Sequence, residues 1–246
     1  MKVAISSDWH GNLPRKQDRK KIEECEVLLL CGDILPNKSH YQLKITDVVS
    51  TFISSLTKNG TKVVMVPGNQ DFNLYNGWLL ENPENADFVK TIPERLDHGM
   101  SYPYTVKFIE EFMGATVLID NLVEINSIKI YGTPWSPDFC RWAFMHNDND
   151  LAEVFQKIPE NADILLTHTP PAFGQCRIDI CEGCDDHLGS YSLANAILEK
   201  KPRYMFCGHI HTGSHEECLI GETTCRNVSL LDEEYKVAYS PTIMEF

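Results

Sequence analysis

The stretch Arg203–His211 reads RYMFCGHIH and indicates both the fold and the position of a site. Its first five residues form an apolar run that predicts a buried strand, and Gly208 allows a sharp turn where that strand ends. His209 and His211 follow, separated by one residue. Two imidazoles in this arrangement can present neutral nitrogens to one small volume and bind a metal ion. Taken alone, the pair would be equally well explained as histidines that cap a loop.

Four other apolar runs end in the same way, each with polar side chains directly after the strand. Lys2–Ser7 leads into Asp8 and His10, Val27–Cys31 into Asp33, Lys62–Val66 into Asn69, and Asp163–Thr167 into His168. The alternation of strands with helical segments predicts largely parallel sheets, whose carboxyl ends lie side by side. Binding sites of α/β folds are built at that edge.

The strand-end side chains together offer seven oxygen and nitrogen donors and no thiolate. Such a set suits two borderline or hard divalent ions better than one structural zinc ion, and a shared carboxylate is the usual bridge between two ions. The candidate metal ligands are Asp8, His10, Asp33, Asn69, His168, His209 and His211.

Composition limits the class of protein. The chain has 246 residues, 43% of them hydrophobic, and we expect one domain over residues 1–246 with insertions. No apolar run reaches the length of a membrane span, and Lys2–Ser6 has a strand pattern where a signal peptide would stand. We therefore expect no membrane association and a cytoplasmic location. A net charge of −13 disfavours an extended nucleic acid as a partner.

Nine cysteines without a secretory signal are typical of a reducing compartment, where we expect packed thiols and few disulfides. Cys176, Cys181 and Cys184 lie near His187 in one loop and could together bind structural zinc. Their spacing matches no trustworthy zinc motif, so we favour cysteines that pack or oxidise incidentally.

The segment at residues 72–114 breaks the strand and helix alternation. It is rich in Asn, Pro, Glu and aromatic residues, with one amphipathic helix predicted at Tyr104–Met113. We interpret it as a cap-like insertion over the site, although a packed surface excursion is equally consistent with the pattern. Further helices are predicted at Tyr41–Asn59, Leu151–Lys157 and Ser190–Lys200.

Short strands are predicted after the insertion and near the C-terminal end. Thr116–Ile119, Leu122–Ile125 and Ile128–Tyr131 are expected to be antiparallel. Glu217–Ile220 and Thr223–Asn227 are expected to form a hairpin that sets Cys218 opposite Cys225, as two packed thiols.

The ordered motifs resemble those of the calcineurin-like metallophosphoesterases. That family carries Asp-x-His, Gly-Asp, Gly-Asn-His-(Asp/Glu), an isolated His and Gly-His-x-His. They are matched here by Asp8-Trp9-His10, Gly32-Asp33, Gly68-Asn69-Gln70-Asp71, His168 and Gly208-His209-Ile210-His211. The resemblance spans nearly the whole chain and is greatest to compact single-domain members. It implies a four-layer α/β/β/α sandwich of two mixed sheets flanked by helices.

The resemblance also implies a dinuclear centre holding two divalent ions drawn from Mn, Fe, Zn or Ni. By similarity, one ion would be held by Asp8, His10 and His211, the other by Asn69, His168 and His209, and Asp33 would bridge both. Such a pair can hold a phosphoryl group and supply a bridging hydroxide for in-line attack. The expected substrate is a small phosphodiester or phosphomonoester, and we expect phosphodiesterase-like activity.

Gln70 is the one departure from the family pattern, because it stands where the family usually has histidine. Glutamine can donate a hydrogen bond to a phosphate oxygen but cannot act as a general acid near neutral pH. We therefore expect Asp33, Asn69 and Gln70 to take part in catalysis with a bias towards aryl or otherwise activated esters, unless another residue supplies the proton. His40, His98, His146 and His187 are the candidates for that residue.

Substrate contacts are less well defined by the sequence. Asn12 could reach a phosphate oxygen or only close a turn, and Gln70 is the second expected contact. Four aromatic residues, Trp9, Trp135, Trp142 and Phe139, could form a wall for a base or aryl group, although core packing is the commoner use of such residues.

Two other functions compete with a phosphoesterase. A metal-binding scaffold with weak or no catalysis is favoured by Gln70 and disfavoured by the complete ligand set. A nuclease is disfavoured by the acidic charge and the absence of DNA-binding extensions. The chain could form a homo-oligomer, and no motif indicates its oligomeric state.

Overall fold

The computed structural model describes residues 1–36, 48–86, 106–140, 142–181 and 183–246. The strands of this part of the chain are β1 Lys2–Ser6, β2 Val27–Cys31, β3 Lys62–Val66, β4 Thr116–Val117, β5 Asn121–Ile125, β6 Ile128–Thr133, β7 Ser136–Pro137, β8 Met145–His146, β9 Ile164–Thr167, β10 Tyr204–Cys207, β11 Cys218–Ile220, β12 Thr223–Asn227 and β13 Thr242–Glu245. Its α-helices are α1 Lys16–Glu23, α2 Val48–Lys58, α3 Phe72–Glu81, α4 Val106–Met113, α5 Asp148–Phe155 and α6 Tyr191–Lys200.

Most of these strands belong to two mixed sheets. The first sheet has the order β13-β1-β2-β3-β4, in which β1 to β4 are parallel and β13 is antiparallel to β1. The second has the order β11-β12-β10-β9-β6-β5, with its four inner strands parallel and its two outer strands antiparallel. The parallel strands of each sheet therefore end at a common edge, where the motif residues follow.

The two sheets pack face to face through alternate residues of their strands. Ile5, Leu29 and Val64 of the first sheet belong to one buried cluster with Leu166 and Phe206 of the second. Because successive side chains of a strand point to opposite faces of the sheet, the intervening residues face away from the other sheet. Their apolar side chains must be buried by other elements.

Helices supply that cover on both outer faces. On the first sheet, Ile22 of α1, Phe52 of α2 and Ile109 of α4 pack with strand residues such as Leu28. On the second sheet, α5 and α6 pack with Leu165 and Met205. The arrangement is the four-layer α/β/β/α sandwich expected from the sequence, and that prediction is confirmed.

One of the short strands runs opposite to the prediction. β4 pairs parallel with β3, with Thr116 beside Val64, because α4 carries the chain back between the two strands. The neighbouring hairpin β5–β6 is antiparallel as predicted. Its turn residues, Asn126 and Ser127, both have positive φ, which matches the right-handed twist of a two-residue hairpin.

The described parts of the expected insertion are packed helices. Tyr75 of α3 is buried with its ring 4.8 Å from that of Phe144, and Met113 of α4 is buried in the cluster that covers the first sheet. Residues 41–47 of the helix predicted at Tyr41–Asn59 and residues 87–105 of the insertion lie outside the described residues. The single-domain boundary and the cap-like role of residues 72–114 stay predictions.

The expectation of a packed thiol is wrong for Cys218, whereas oxidation of Cys176, Cys181 and Cys184 was allowed by the sequence analysis. Disulfides join Cys176 to Cys218 and Cys181 to Cys184, with Cα atoms 5.7 and 5.3 Å apart. Cys218 does lie opposite Cys225 in the β11–β12 hairpin, but it is bonded across to the loop after β9. A contact 42 residues away in sequence cannot be inferred from local pattern. Since disulfides are rare in the cytosol, the cytoplasmic location stays a prediction.

Among the described residues, no helix is both long enough and apolar enough to cross a membrane.

Leu29→Ala tests the core between the sheets. We expect it to lower the free energy of unfolding by about 2–5 kcal/mol, because it leaves a cavity between two packed sheets. The matched control is Leu219→Ala, since Leu219 is 65% exposed and its truncation should change stability by at most about 0.5 kcal/mol. Urea unfolding followed by circular dichroism measures both. Equal losses in the two variants would contradict this description of the core.

Candidate metal centre

The motif side chains converge where the strands of both sheets end. Asp8 and His10 follow β1, Asp33 follows β2, and Asn69 follows β3. His168 follows β9 of the second sheet, and His209 and His211 follow β10. The face-to-face packing of the sheets brings these two groups of loops together, so both sheets contribute side chains to one cluster.

Asp8, His10 and His211 form one group of potential ligands, with one donor atom from each within 4.8 Å of the others. His211 Nε2 lies 3.4 Å from Asp8 Oδ1, and the Nε2 atoms of His10 and His211 are 3.3 Å apart. His211 Nδ1 lies 3.0 Å from the carbonyl of Asp232, which fixes the ring and leaves Nε2 directed into the site.

A second group is centred on Asp33 and includes Asp8 and His168. One oxygen, Asp33 Oδ2, lies 3.7 Å from His10 Nε2 and 3.4 Å from His168 Nε2. His168 Nε2 also lies 2.7 Å from Asn69 Oδ1. Asp33 thus lies between histidines that the family resemblance assigns to different ions, as a bridging carboxylate would.

His209 lies beside this second group. Its ring centroid is 4.9 Å from that of His168, and its backbone N–H donates to both oxygens of Asp8 at 3.2 and 3.0 Å. Burial lowers the pKa of His209 to about 3, so this imidazole is neutral and able to bind a cation. All seven predicted ligands therefore lie in one cluster, and their division between two ions stays a prediction.

The carboxylates act on His168 and His211, whereas burial lowers the pKa of His10. Burial opposes the charged form of His168, but the charge of Asp33 raises the pKa of His168 to about 9. Burial likewise opposes the charged form of His211, and the hydrogen bond with Asp8 raises its pKa to about 9. The carboxylates thus stabilise positive charge on their neighbours. Protons supply that charge when no other cation is bound.

Two glycines allow the loops to approach this closely. A Cβ atom on Gly208 would lie 2.1 Å from Asp8 Oδ2, and one on Gly68 would lie 2.2 Å from Asp33 Oδ1. Any larger residue would displace a carboxylate of the site. These glycines therefore serve backbone geometry.

The backbone is also held in an unusual conformation at the ligands. Asp8, His10, Asp33 and His209 all have φ between 43° and 71°, in the left-handed region that non-glycine residues seldom adopt. Strain of this kind persists where the surrounding structure enforces it, and it clusters at functional sites.

The chemistry of the side chains in the site fits a bound cation. Asp8 and Asp33 are almost fully buried, at 0% and 2% exposure, and no lysine or arginine of the described residues pairs with them. Buried carboxylates are very costly without compensating charge, and their partners here are imidazoles that are ordinary metal ligands. The donor set therefore fits divalent cations.

A pocket of about 420 Å³ opens onto this cluster. Asp33, His209 and His211 line its floor. Gln70 lines it too, and its backbone N–H donates to Asp33 Oδ1 at 2.8 Å. Asn12 is not among the described lining residues. Its side-chain amide donates to the Trp9 carbonyl at 3.1 Å, so of the two roles considered for Asn12 the structure shows the closing of a turn.

The aromatic wall expected from the sequence is only half present. Trp9 and Trp135 are core residues, whose indole N–H groups donate to Ser6 Oγ and Asp120 Oδ2. Phe139 and Trp142 do line the pocket, with their ring centroids 5.6 Å apart.

The candidate proton donors among the histidines are directed elsewhere. His146 contacts Asp150, and His187 contacts both carboxylate oxygens of the buried Asp179 at 2.9 Å. The disulfide pairing of the neighbouring cysteines and this contact of His187 are inconsistent with the structural zinc site that the sequence analysis disfavoured. His40 and His98 lie outside the described residues.

Sequence reasoning missed three supporting residues. Asp71 Oδ2 accepts from the backbone N–H groups of Asp33 and Gly68 at 3.0 and 2.7 Å, and burial raises the pKa of Asp71 to about 7. Ser229 Oγ lies 2.8 Å from Asp8 Oδ2, and Tyr235 lines the pocket beside Gln70. Asp71 could have been found from its motif position, whereas nothing local marks Tyr235.

The chain was compared with proteins of known sequence. UPF0046 protein T07D4.2 of Caenorhabditis elegans is 27% identical over 237 residues, which cover 93% of this chain and 56% of that protein. Metallophosphoesterase domain-containing protein 1 of Homo sapiens is 32% identical over 130 residues, covering 52% of this chain and 39% of that protein. The chain spans about half the length of these curated relatives.

Solved structures share the fold at low sequence identity. Two of them are TT1561 of Thermus thermophilus and the Phosphopantetheinyl Hydrolase from Mycobacterium tuberculosis. Each is 14% identical to this chain, with a TM-score of 0.52 and coverage of 92% of this chain and 88% of the other. At this identity the similarity concerns the fold alone.

A family model described as calcineurin-like phosphoesterase matches residues 1–213, which include all seven predicted ligands. With the motifs in the family order and the strand ends of both sheets gathered around them, this chain belongs to the calcineurin-like phosphoesterase family.

Proposed function

We propose that this protein is a dinuclear metal-dependent phosphoesterase that hydrolyses a small phosphodiester or phosphomonoester. One observation carries the proposal. Two buried carboxylates, Asp8 and Asp33, lie among imidazoles that can bind a metal ion in their neutral form, and no described lysine or arginine pairs with either carboxylate. Family membership supports metal-dependent hydrolysis of phosphoric esters as the reaction class.

The proposed ligand sets follow the motif order. Asp8, His10 and His211 would hold one ion, Asn69, His168 and His209 the other, and Asp33 would touch both. The position of Asp33 Oδ2 within 3.7 Å of His10 Nε2 and 3.4 Å of His168 Nε2 supports a bridge. When bound, two such ions supply Lewis acidity and lower the pKa of a bound water to near neutral.

The protein side chains have separate tasks in this proposal. Asp33 and Asn69 orient the centre, while Gln70, on the pocket wall, donates its amide hydrogen to a phosphate oxygen. Phe139 and Trp142 offer apolar surface to an ester substituent. The pocket volume of about 420 Å³ falls within the range of small-molecule sites and supports a small substrate over an extended polymer.

A hydrogen-bonded network supports the ligands from behind. The Ser229 hydroxyl lies 2.8 Å from both Asp8 Oδ2 and Asn227 Oδ1, and its single hydrogen serves one of them at a time. The Asn227 amide donates to the carbonyl of Ile210, at 2.7 Å, between the two histidines of the last motif. The network therefore fixes Asp8 and the His209–His211 loop relative to each other.

Asp33→Asn tests the proposed function. Apo-protein would be reconstituted separately with Mn²⁺, Fe²⁺, Zn²⁺ and Ni²⁺ and assayed against a panel of phosphomonoesters and phosphodiesters. We expect turnover by the wild type with at least one metal. In the variant, kcat/KM should fall about 10³-fold or more, because a Lewis-acid contribution of several kcal/mol is lost.

The matched control is Asp150→Asn, which removes an exposed carboxylate that contacts His146 and is not among the described lining residues of the pocket. Its activity should equal that of the wild type. Stoichiometric metal binding without turnover of any ester would reject the enzyme proposal and favour the metal-binding scaffold, for which Gln70 is the supporting feature.

Ser229→Ala tests the supporting network. We expect it to weaken Mn²⁺ binding about 10–100-fold, because the carboxylate of Asp8 loses the donor that orients it. Isothermal titration calorimetry measures the affinity. Ser240→Ala is the control, since its hydroxyl donates to the carboxylate of Asp18, away from the pocket, at 3.2 Å. Unchanged Mn²⁺ affinity in Ser229→Ala would show that Asp8 needs no such support.

A further inference from the structure

Tyr235 is held over the first group of ligands although the fold does not need it as a core residue. Its ring centroid lies 5.0 Å from that of His10 and 5.3 Å from that of His211, in edge-on contacts. The side chain is nevertheless 49% exposed and lines the pocket. A large aromatic residue left half in solvent at the mouth of a site contributes less to stability than a buried one, so a packing role explains its position poorly.

The turn that carries Tyr235 is tied to a ligand. Asp232 Oδ1 accepts from the backbone N–H groups of Glu234 and Lys236 at 3.0 and 2.9 Å, and the Asp232 carbonyl lies 3.0 Å from His211 Nδ1. Tyr235 itself has φ of 58°, in the left-handed region. A strained backbone held by a built turn places the phenol at a fixed position relative to His211.

The phenol is the protic group of the pocket best placed to give up a hydrogen. Among the described lining residues outside the predicted ligands, Thr212 Oγ1 donates to Glu233 Oε1 at 2.9 Å, and Cys181 is in a disulfide. The amide of Gln70 and the indole N–H of Trp142 are the other donors, and neither can act as a general acid near neutral pH. The hydroxyl of Tyr235 can donate a hydrogen bond or a proton.

Gln70 contacts that same hydroxyl. Its Nε2 donates to Tyr235 Oη at 3.4 Å, so the bond uses the phenol oxygen and not the phenol hydrogen. An amide donor in this position orients the phenol and leaves its hydrogen available to another acceptor. The residue that replaces the usual histidine thus lies where it can assist a different proton donor.

We propose that Tyr235 is the proton donor to the leaving oxygen, supported by Gln70; this inference rests on the phosphoesterase function proposed above. As a water-derived oxygen forms its bond to phosphorus, the bond from phosphorus to the leaving oxygen breaks. The Tyr235 proton passes to that oxygen and gives a neutral alcohol. The tyrosinate then takes a proton from water, which replaces the hydroxide consumed in the attack.

This assignment separates substrates by their leaving group. A phenol is a stronger acid than an aliphatic alcohol, so transfer from Tyr235 to a departing alkoxide is favourable, whereas a nitrophenolate leaves without help. The substrate class of the site therefore extends to alkyl esters. The bias towards activated esters expected from Gln70 alone should then appear only when Tyr235 is removed.

The test compares bis(para-nitrophenyl) phosphate with dibenzyl phosphate, an aryl and an alkyl diester of similar size, on the Mn²⁺-loaded full chain. Tyr235→Phe should lower kcat for the alkyl diester about 10²-fold and shift the alkyl-to-aryl ratio of kcat by at least about tenfold. Gln70→His should restore that ratio in the Tyr235→Phe background and change it little when Tyr235 is present. Tyr191→Phe is the matched control, since that tyrosine is 58% exposed and is not among the described lining residues.

Three results would overturn the inference. The first is an unchanged ratio in Tyr235→Phe with aryl hydrolysis retained, which leaves the phosphoesterase function intact. The second is loss of Mn²⁺ affinity in Tyr235→Phe, which makes the residue structural. The third is a wild type that hydrolyses neither diester nor any monoester with any metal, which rejects the underlying function as well.

Discussion

The structure depends on two buried carboxylates held side by side at the junction of two sheets. Asp8 and Asp33 are withdrawn from water, and their described partners are imidazoles and backbone or hydroxyl donors. Removing a charge from water costs several kcal/mol unless opposite charge replaces the lost hydration. Bound cations are the most direct compensation, and the seven-residue ligand set gives them oxygen and nitrogen donors.

The rest of the fold can be understood as the means of holding those charges together. Parallel strands of each sheet end at one edge, and face-to-face packing brings the two edges into contact. Gly68 and Gly208 leave room for the carboxylates where a side chain would displace them, and the backbone at Asp8 and Asp33 is left-handed. Core packing elsewhere must offset this strain and desolvation, which is how functional sites are generally supported.

Much of this architecture could be predicted because its signals are local. Val27–Cys31 is an apolar run followed by Asp33, and the same pattern recurs at the other motif strands, so the candidate ligands follow from short-range pattern. The parallel pairing of β4, the Cys176–Cys218 bond and the contact of Ser229 with Asp8 depend on distant parts of the chain. Tyr235 was missed for the same reason: 165 residues separate it from Gln70.

The central claim is that two divalent ions balance the buried carboxylates and share Asp33. Anomalous diffraction at the manganese absorption edge, from crystals of the Mn²⁺-loaded wild type, tests it most directly. The account predicts two peaks about 3.5–4 Å apart, both within coordination distance of the Asp33 carboxylate. A single peak, or two peaks of which one lies away from Asp33, would contradict it.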